Sequence, residues 1–293
     1  MTPQRLTRIR ARRGFTLIEL LVVISILALL VSILLPGLQA ARKQTQKVVC
    51  RSNMRQIILA VLLYAQDYND QVWPVNLDGG TGIPAVGGAW ARILAPDNTI
   101  KPGFLYDYVQ TVDKIGECPS NRRATNLTDQ GENMFGGETA LDFDYTMVAN
   151  AQGARLDRRT KMGYLTTPEH YGNWALPPLT PALGDKIRPI SGLAIFVEEH
   201  TRFWNSGYTD GLWSNADQLE VRHGGGSNLA FLEGHVEAFE PPTGSRDKTM
   251  EPADLDANDF YVRARGIEWV RMERQSGLLR PYGWINNPEV ELD

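Results

Sequence analysis

The sequence predicts an α+β protein in which one long amino-terminal helix, with a membrane-spanning first half, packs on a small antiparallel β-sheet head. Residues 20–35 contain no charged side chain, and residues 38–67 contain neither proline nor glycine. Such a stretch is typical of one continuous helix. After residue 70, short strand-like patterns alternate with long loops rich in glycine and proline, an order that indicates an α+β head.

The first half of the helix, residues 15–35, has the length and composition of a membrane span. Its 21 residues would measure about 30 Å, the thickness of the hydrocarbon core. Glu19 lies near its start, and a carboxylate there costs about 2.5–3.5 kcal/mol, so we expect it to have a partner. Five arginines precede the span closely, whereas the cations beyond it begin only at Arg42. This asymmetry favours a cytoplasmic amino terminus and an external head.

The second half of the helix, residues 36–68, is predicted to be amphipathic. Pro36-Gly37 should kink or loosen the helix where this half begins. Beyond it, apolar side chains recur at steps of three and four and form a stripe that we expect to lie on the head. The stripe consists of Cys50, Met54, Ile57, Ile58, Val61, Ala65 and Tyr68.

The head, residues 69–293, contains four segments with strand patterns, at 143–149, 191–198, 228–231 and 235–239. The last two flank Glu233-Gly234, which predicts a hairpin with a two-residue turn. Residues 240–293 are polar and acidic apart from a short apolar cluster at 267–272, and their role is not evident from the pattern.

Charge and cysteine content narrow the range of partners. The formal net charge is −4, and residues 1–14 carry five arginines and no acid, so the chain without them would carry about −9. An acidic head argues against nonspecific nucleic-acid binding. The two cysteines, Cys50 and Cys118, permit one disulfide in an exported chain, and two buried free thiols are the alternative.

The segment RRGFTLIELLVVISILALLVSILLP resembles the class III signal of type IV prepilins and type II secretion pseudopilins. The resemblance implies that a prepilin peptidase cuts after Gly14 and that Phe15 is then N-methylated. It also implies that Glu19 pairs with the terminal amine of a neighbouring subunit during assembly. The alternative is an ordinary signal anchor in which Glu19 reaches the membrane interface.

The same resemblance implies the partners and the location of the chain. Residues 1–14 would be a cytoplasmic leader, the protein would cross the bacterial inner membrane once, and the head would be periplasmic. The processed subunit would then join a homo- or hetero-oligomeric filament with other pilin-like subunits. No cofactor, no nucleic acid and no enzymatic activity are expected, and familiar catalytic motifs are absent from the sequence.

A second resemblance covers much of the head. The segment RHGGGSNLAFLEGHV, at 222–236, is similar to the H-X9-DG motif of a group of prepilin-like proteins (DUF1559), with Glu233 in place of the aspartate. The motif residues are His223, Glu233 and Gly234. The segments CRSNMRQI at 50–57 and CPS at 118–120 also look like segments of that group.

Metal binding and ligand binding stay open as alternatives at three places. His223, Glu233 and His235 could converge on a metal across a hairpin, although a structural role for the turn is preferred. Asp254, Asp256 and Asp259 begin like an EF-hand loop but lack its glycine and its final glutamate, so an acidic solvated loop is preferred to a calcium site. The seven tryptophans could line a glycan-binding surface, although core positions are preferred. The corresponding alternative function is a minor tip subunit or adhesin whose head binds a glycan or a secreted substrate. A membrane-anchored enzyme is a further alternative for the function of the chain.

Overall fold

In the residues that it describes, the computed structural model has one long helix and three sheets. The described residues are 15–73, 90, 92–94, 100–109, 115–120, 144–148, 151, 153–157, 160–167, 184–199, 212–213, 218–242, 255–263 and 269–271. The leader, residues 1–14, therefore lies outside them. By contact the chain divides into two compact units, residues 1–45 and residues 46–293.

The predicted amino-terminal helix is confirmed as a single element, α1, which spans Leu17–Asp67. It is 51 residues long, so it measures about 75 Å, and it continues through Pro36. The chain leaves the helix through Asn69 and Asp70, whose φ angles of 57° and 56° are left-handed. Asn and Asp tolerate that region better than most residues, so they end the helix there.

A five-stranded sheet accounts for the four strand segments that the sequence predicts. Its order is β7-β3-β6-β8-β9, with β3 and β7 parallel and every other pair antiparallel. The strands are β3 (Tyr145–Val148), β6 (Ala194–Glu198), β7 (Leu212–Trp213), β8 (Ser227–Phe231) and β9 (Val236–Phe239). Every residue of β3, β6 and β8 is buried, which is why these central strands read as nearly continuous apolar runs.

The β8–β9 hairpin is present, but the predicted two-residue turn is wrong. Ala230 pairs with Val236, and the amide of Phe231 donates to the carbonyl of His235, so the connection is longer than Glu233-Gly234. Gly234 has a φ of +89° and donates its amide to the carbonyl of Phe231. Its left-handed conformation closes the longer loop, which explains why glycine stands at this position.

Two further sheets were not predicted from the sequence. A four-stranded antiparallel sheet has the order β11-β10-β4-β5, and β1 pairs with β2 in a two-stranded one. Their strands are β1 (Arg92–Leu94), β2 (Ile100–Pro102), β4 (Met162–Leu165), β5 (Ile187–Pro189), β10 (Phe260–Arg263) and β11 (Trp269–Arg271). The region after residue 240 thus contributes two strands, β10 and β11, to the head.

The carboxyl-terminal part of α1 lies against the sheets and forms one hydrophobic core with them. Met54, Ile57, Ile58 and Val61 are buried in the same cluster as side chains from β3, β6 and β8. Each such aliphatic side chain contributes roughly 1.5–3 kcal/mol by leaving water. The predicted stripe is confirmed except for Tyr68, which is 55% exposed because the helix ends at the preceding residue. These contacts confirm the α+β architecture.

Candidate functional site

The amino-terminal end of α1 carries the first group of predicted site residues, and it is held by a reciprocal pair of hydrogen bonds. The amide of Glu19 donates to Oγ1 of Thr16 over 3.2 Å, while the amide of Thr16 donates to Oε2 of Glu19 over 2.9 Å. The Thr16 hydroxyl also donates to Oε2, over 2.8 Å. This is a capping box, T-x-x-E, a pattern that is present in the sequence but was not among the predicted features.

The capping box gives Glu19 a local role in addition to the predicted one. Both bonds that Glu19 accepts from Thr16 are made by Oε2, and the side chain lies at the exposed end of the helix. Phe15, the predicted new amino-terminal residue, is 70% exposed and precedes the cap directly. Gly14, on the other side of the predicted cleavage point, lies outside the described residues.

The apolar face beyond the cap is suited to lipid or to other helices. The large aliphatic side chains of residues 17–35 are all about half exposed or more. The hydroxyls of Ser25 and Ser32 donate to carbonyls of their own helix, over 2.8 and 2.7 Å, so these polar groups need no water. Among the described residues, α1 is the helix that is long and apolar enough to cross a membrane, by length and composition.

The head contains a buried polar cluster that centres on Glu198, the last residue of β6. Nε2 of His223 lies 2.9 Å from Oε1 of Glu198. Asn228 donates its backbone amide to Oε2 over 2.8 Å and its side-chain amide to Oε1 over 3.1 Å. Glu198 is fully buried. Burial of its carboxylate is compensated by three polar groups, the His223 imidazole and the backbone and side-chain amides of Asn228.

A short glycine loop places His223 in this cluster. Gly224 and Gly225 have φ angles of +82° and +102°, which residues with side chains rarely adopt. They allow the amide of His223 to donate to the carbonyl of Gly226 over 3.2 Å before the chain enters β8. The loop turns the imidazole back toward the end of the neighbouring strand, β6, where Glu198 is found.

Cys50 and Cys118, the two cysteines of the chain, are joined by a disulfide beside the same histidine. Their Cα atoms are 5.3 Å apart, and both side chains are buried. Nε2 of His223 lies 3.6 Å from Sγ of Cys118. The disulfide connects α1 to the segment that precedes β3, and it lies within reach of a histidine and a carboxylate.

Asp144 and Arg222 fix the Cys118 segment and the glycine loop to each other. The amide of Cys118 donates to Oδ2 of Asp144 over 2.6 Å, and Nη1 of Arg222 donates to Oδ1 over 2.7 Å. Burial by itself would lower the pKa of Arg222, but attraction to Asp144, Glu220 and Glu198 raises it above the ordinary value. The guanidinium therefore stays charged, and the ion pair is complete inside the protein.

The structure separates the residues of the H-X9-DG-like motif. His223 precedes β8 and Glu233 follows it, so a strand of five residues, about 17 Å, lies between them. Glu233 is exposed, and its carboxylate lies over Gly192, where a side chain would clash with it. His235 instead contacts Ser191, over 3.2 Å from Nε2 to Oγ, and Nε2 is 3.6 Å from Oε1 of Glu237. The three predicted residues therefore do not converge on one metal.

The calcium and glycan alternatives involve residues that the structure describes only in part. Asp256 donates its backbone amide to Oδ2 of Asp259 over 3.2 Å in a short 3₁₀ turn, and Asp254 lies outside the described residues. Trp73, Trp90 and Trp213 are buried, and Trp269 packs against a small core cluster. The other tryptophans lie outside the described residues, so the four tryptophans that are described pack in or against the core.

Glu198, the acid that His223 contacts, was not among the predicted site residues. Glu198 and Glu199 are neighbours at the end of a strand, where adjacent side chains face opposite ways, so the two acids do not look like a catalytic pair. The signal that would have identified Glu198 is an acid ending the apolar run AIFV of β6, since such an acid needs a buried partner.

Comparison with known proteins agrees with the amino-terminal observations. Residues 9–35 match the prokaryotic N-terminal methylation motif. The type IV wide pilus major component PilA4 of Thermus thermophilus is 42% identical over 60 residues, which are 20% of this chain. The chain covers 46% of the length of that relative. No solved structure matches the chain. The protein thus carries the prokaryotic N-terminal methylation motif at the start of a long apolar helix, and part of it is similar to a type IV pilus component.

Proposed function

We propose that this protein is a prepilin-like subunit that is processed at its amino terminus and assembled into a type IV pilus-like or type II secretion pseudopilus filament. The observation that carries the proposal is the methylation motif at residues 9–35, placed directly on a helix long and apolar enough to span a membrane. The similarity to a pilus component supports it.

The proposed processing follows from the order of residues at the start of α1. The peptidase would cut between Gly14 and Phe15 on the cytoplasmic side, remove the five arginines of residues 1–14, and expose the amine of Phe15 for methylation. Phe15 is exposed and one residue before the helix cap, so the bond to be cut lies outside the helical hydrogen-bond pattern.

The proposed assembly step uses the exposed apolar face of residues 17–35. In the membrane this face contacts lipid, and in a filament it would pack against the same face of neighbouring subunits. Glu19 would meet the Phe15 amine of an adjacent subunit, which offsets the burial of its charge and sets the axial position of the subunit. Its Oε2 is already held by Thr16, so the carboxylate is oriented before the neighbour arrives.

We also propose that the chain belongs to the group of prepilin-like proteins defined by the H-X9-DG motif. The proposal rests on the similarity of residues 222–236 and 50–57 to the segments of that group. In this chain Gly234 closes the hairpin, while His223 belongs to the buried cluster at Glu198.

The test separates the two roles of Glu19 by comparing three variants of the full chain in its native host. Glu19→Ala removes the carboxylate, Glu19→Gln keeps the shape without the charge, and Thr16→Ala keeps the carboxylate but removes the hydroxyl of the cap. Peptide mass spectrometry of the amino terminus reports cleavage and methylation, and the sheared filament fraction reports incorporation.

We expect a mature chain that begins with N-methylated Phe15 in all three variants. Incorporation should fall strongly for both Glu19 variants and much less for Thr16→Ala, which lacks only a cap worth about 1 kcal/mol. Normal incorporation of Glu19→Ala would contradict the proposed pairing. An uncut leader in the unmodified chain would contradict the proposed function itself.

A further inference from the structure

A second site is formed by four buried side chains, one from α1 and three from separate segments of the head. Cys50 on α1, Cys118 before β3, Glu198 at the end of β6 and His223 before β8 each offer one ligand atom, and these atoms all lie within 4.8 Å of one another. Two sulfurs, one imidazole and one carboxylate are the donor types that Zn²⁺ binds in proteins. We infer that the reduced Cys50–Cys118 pair forms a Zn²⁺ site together with His223 and Glu198.

The distances in the cluster are close to those that tetrahedral zinc requires. With Zn–S of about 2.3 Å and Zn–N and Zn–O of about 2.0–2.1 Å, a sulfur and a nitrogen on the same ion are about 3.5 Å apart, and a nitrogen and an oxygen about 3.3 Å. Sγ of Cys118 and Nε2 of His223 are 3.6 Å apart, and Nε2 is 2.9 Å from Oε1 of Glu198. Apart from small shifts, zinc binding requires one larger movement, in which the two sulfurs separate to about 3.8 Å, the distance between two sulfurs on one tetrahedral zinc.

Hydrogen bonds from neighbouring residues hold the ligands in position. Oε2 of Glu198 accepts the backbone amide of Asn228, which orients Oε1 toward His223. Asn228 is itself held by Arg51, whose Nε donates to Oδ1 of Asn228 over 2.9 Å. Supporting hydrogen bonds of this kind orient metal ligands and raise affinity.

The Cys118 ligand has its own support. Its backbone amide donates to Asp144, and Asp144 is paired with Arg222, the residue directly before His223. The position of one sulfur ligand is thereby coupled to the position of the imidazole. This coupling favours a preformed site over four side chains that would have to be ordered by the metal.

Charge favours a divalent ion in the reduced cluster. Two thiolates and one carboxylate carry −3 in a buried space, and Zn²⁺ reduces this to −1. Arg222 is already paired with Asp144, whereas Lys47 donates to the carbonyl of His223 over 3.5 Å and is a cation near the remaining charge. Thiolate ligands select zinc over calcium and magnesium, which prefer oxygen.

Zinc binding requires prior reduction of the disulfide, and a dithiol reductant would perform it. Its thiolate attacks one sulfur of the Cys50–Cys118 bond, and its second thiol resolves the mixed disulfide. Two electrons pass to the cysteine pair, which leaves as two thiols, while the reductant leaves as a disulfide. Zn²⁺ then replaces the two thiol protons, which are released to solvent. The cluster would therefore alternate between an oxidised state with a disulfide bond and a reduced state with a bound metal ion.

The experiment uses the full chain in detergent micelles and Zn²⁺ alone as the probe. The disulfide is reduced with a phosphine, which becomes its oxide with oxygen from water, and the excess is removed without air. Bound zinc is then counted per chain by elemental analysis after desalting. We expect one zinc per reduced chain and close to none per oxidised chain.

Variants locate the site, with one histidine variant as a matched control. Cys118→Ser and His223→Gln should abolish the stoichiometric zinc, while His235→Gln, at the other end of the hairpin, should retain it. Asn228→Ala should lower the affinity by about 10–100-fold, as loss of a supporting residue does. Equal binding by Cys118→Ser, or equal loss in His235→Gln, would overturn the assignment.

A measurement on the unmodified chain guards against variants that fail to fold. X-ray absorption at the zinc edge should show two sulfurs at about 2.3 Å and two nitrogen or oxygen neighbours at about 2.0–2.1 Å. A shell of nitrogen and oxygen alone, or no zinc on the correctly folded reduced chain, would overturn the inference.

Discussion

Nη1 of Arg222 lies 2.7 Å from Oδ1 of Asp144, and their side chains are 7% and 1% exposed. An ion pair of this kind contributes little relative to apolar residues of the same size, but it becomes very unfavourable when one partner is lost. Asp144 also accepts the amide of Cys118, so the pair connects the disulfide segment to the residue before His223.

Arg222→Met should therefore destabilise the head by about 3–5 kcal/mol, because it leaves the buried Asp144 carboxylate without its cation. Denaturant unfolding of the full chain in micelles, followed by tryptophan fluorescence, measures the change. The double variant Arg222→Met with Asp144→Leu should recover part of the loss. A single variant within 1 kcal/mol of the unmodified chain would show that the pair is not formed.

Removal of the disulfide should lower the stability of the head by about 4 kcal/mol. Cys50 and Cys118 are 68 residues apart, and closing a loop of that length restricts the unfolded chain strongly. The comparison is between the oxidised chain and the variant Cys50→Ala with Cys118→Ala, both in the presence of a chelator so that metal makes no contribution. Identical denaturant midpoints would mean that the two cysteines are not bonded in the folded protein.

The four-stranded sheet depends on the absence of a side chain at Gly163 in β4. A Cβ there would lie 2.8 Å from the carbonyl oxygen of Arg188 and 2.9 Å from Cγ2 of Ile187, and both residues belong to β5. Gly163→Ala should destabilise the head by about 1–3 kcal/mol, as overpacking does.

Gly184→Ala is the matched control for that variant, since a Cβ at Gly184 meets nothing within 4 Å. It should change the unfolding free energy by no more than about 0.5 kcal/mol. Equal effects of the two substitutions would argue against the pairing of β4 with β5.

Stability should fall at high pH because tyrosines are buried in their neutral form. Burial, with a smaller contribution from the neighbouring Tyr68, raises the pKa of Tyr64 to about 12. The folded state therefore retains a proton that the unfolded state has lost, so the stabilisation is complete below the ordinary tyrosine pKa of 10 and disappears as the pH rises toward 12.

Tyr64→Phe should reduce this decline, because phenylalanine cannot ionise. Unfolding free energies at several pH values between 10 and 12 measure the slope, and the remaining slope reflects Tyr145, whose pKa burial also raises, and Tyr108. A slope that is the same in Tyr64→Phe and in the unmodified chain would place Tyr64 in water rather than in the aromatic cluster with Trp73 and Phe104.

Local pattern explains which parts of the fold were predictable. The helix, its buried stripe and the central strands were predicted because each buries a regular face or a continuous apolar run over several residues. Two strands of the four-stranded sheet, β4 and β5, were missed because they contain Gly163 and Pro189, which weaken a strand pattern. Tyr68 was misplaced since the apolar period continues past the residue where the helix ends.

The amino-acid sequence by itself determined the properties of the amino-terminal helix, the motif at its start and the central strands, because these depend on residues close together in the chain. Only the tertiary structure decided that Cys50, Cys118, Glu198 and His223 meet, since no local period relates residues that are 25 to 173 positions apart. The physical reason is burial: once α1 covers the sheet, the polar groups at the strand ends lose water and must find partners in one another.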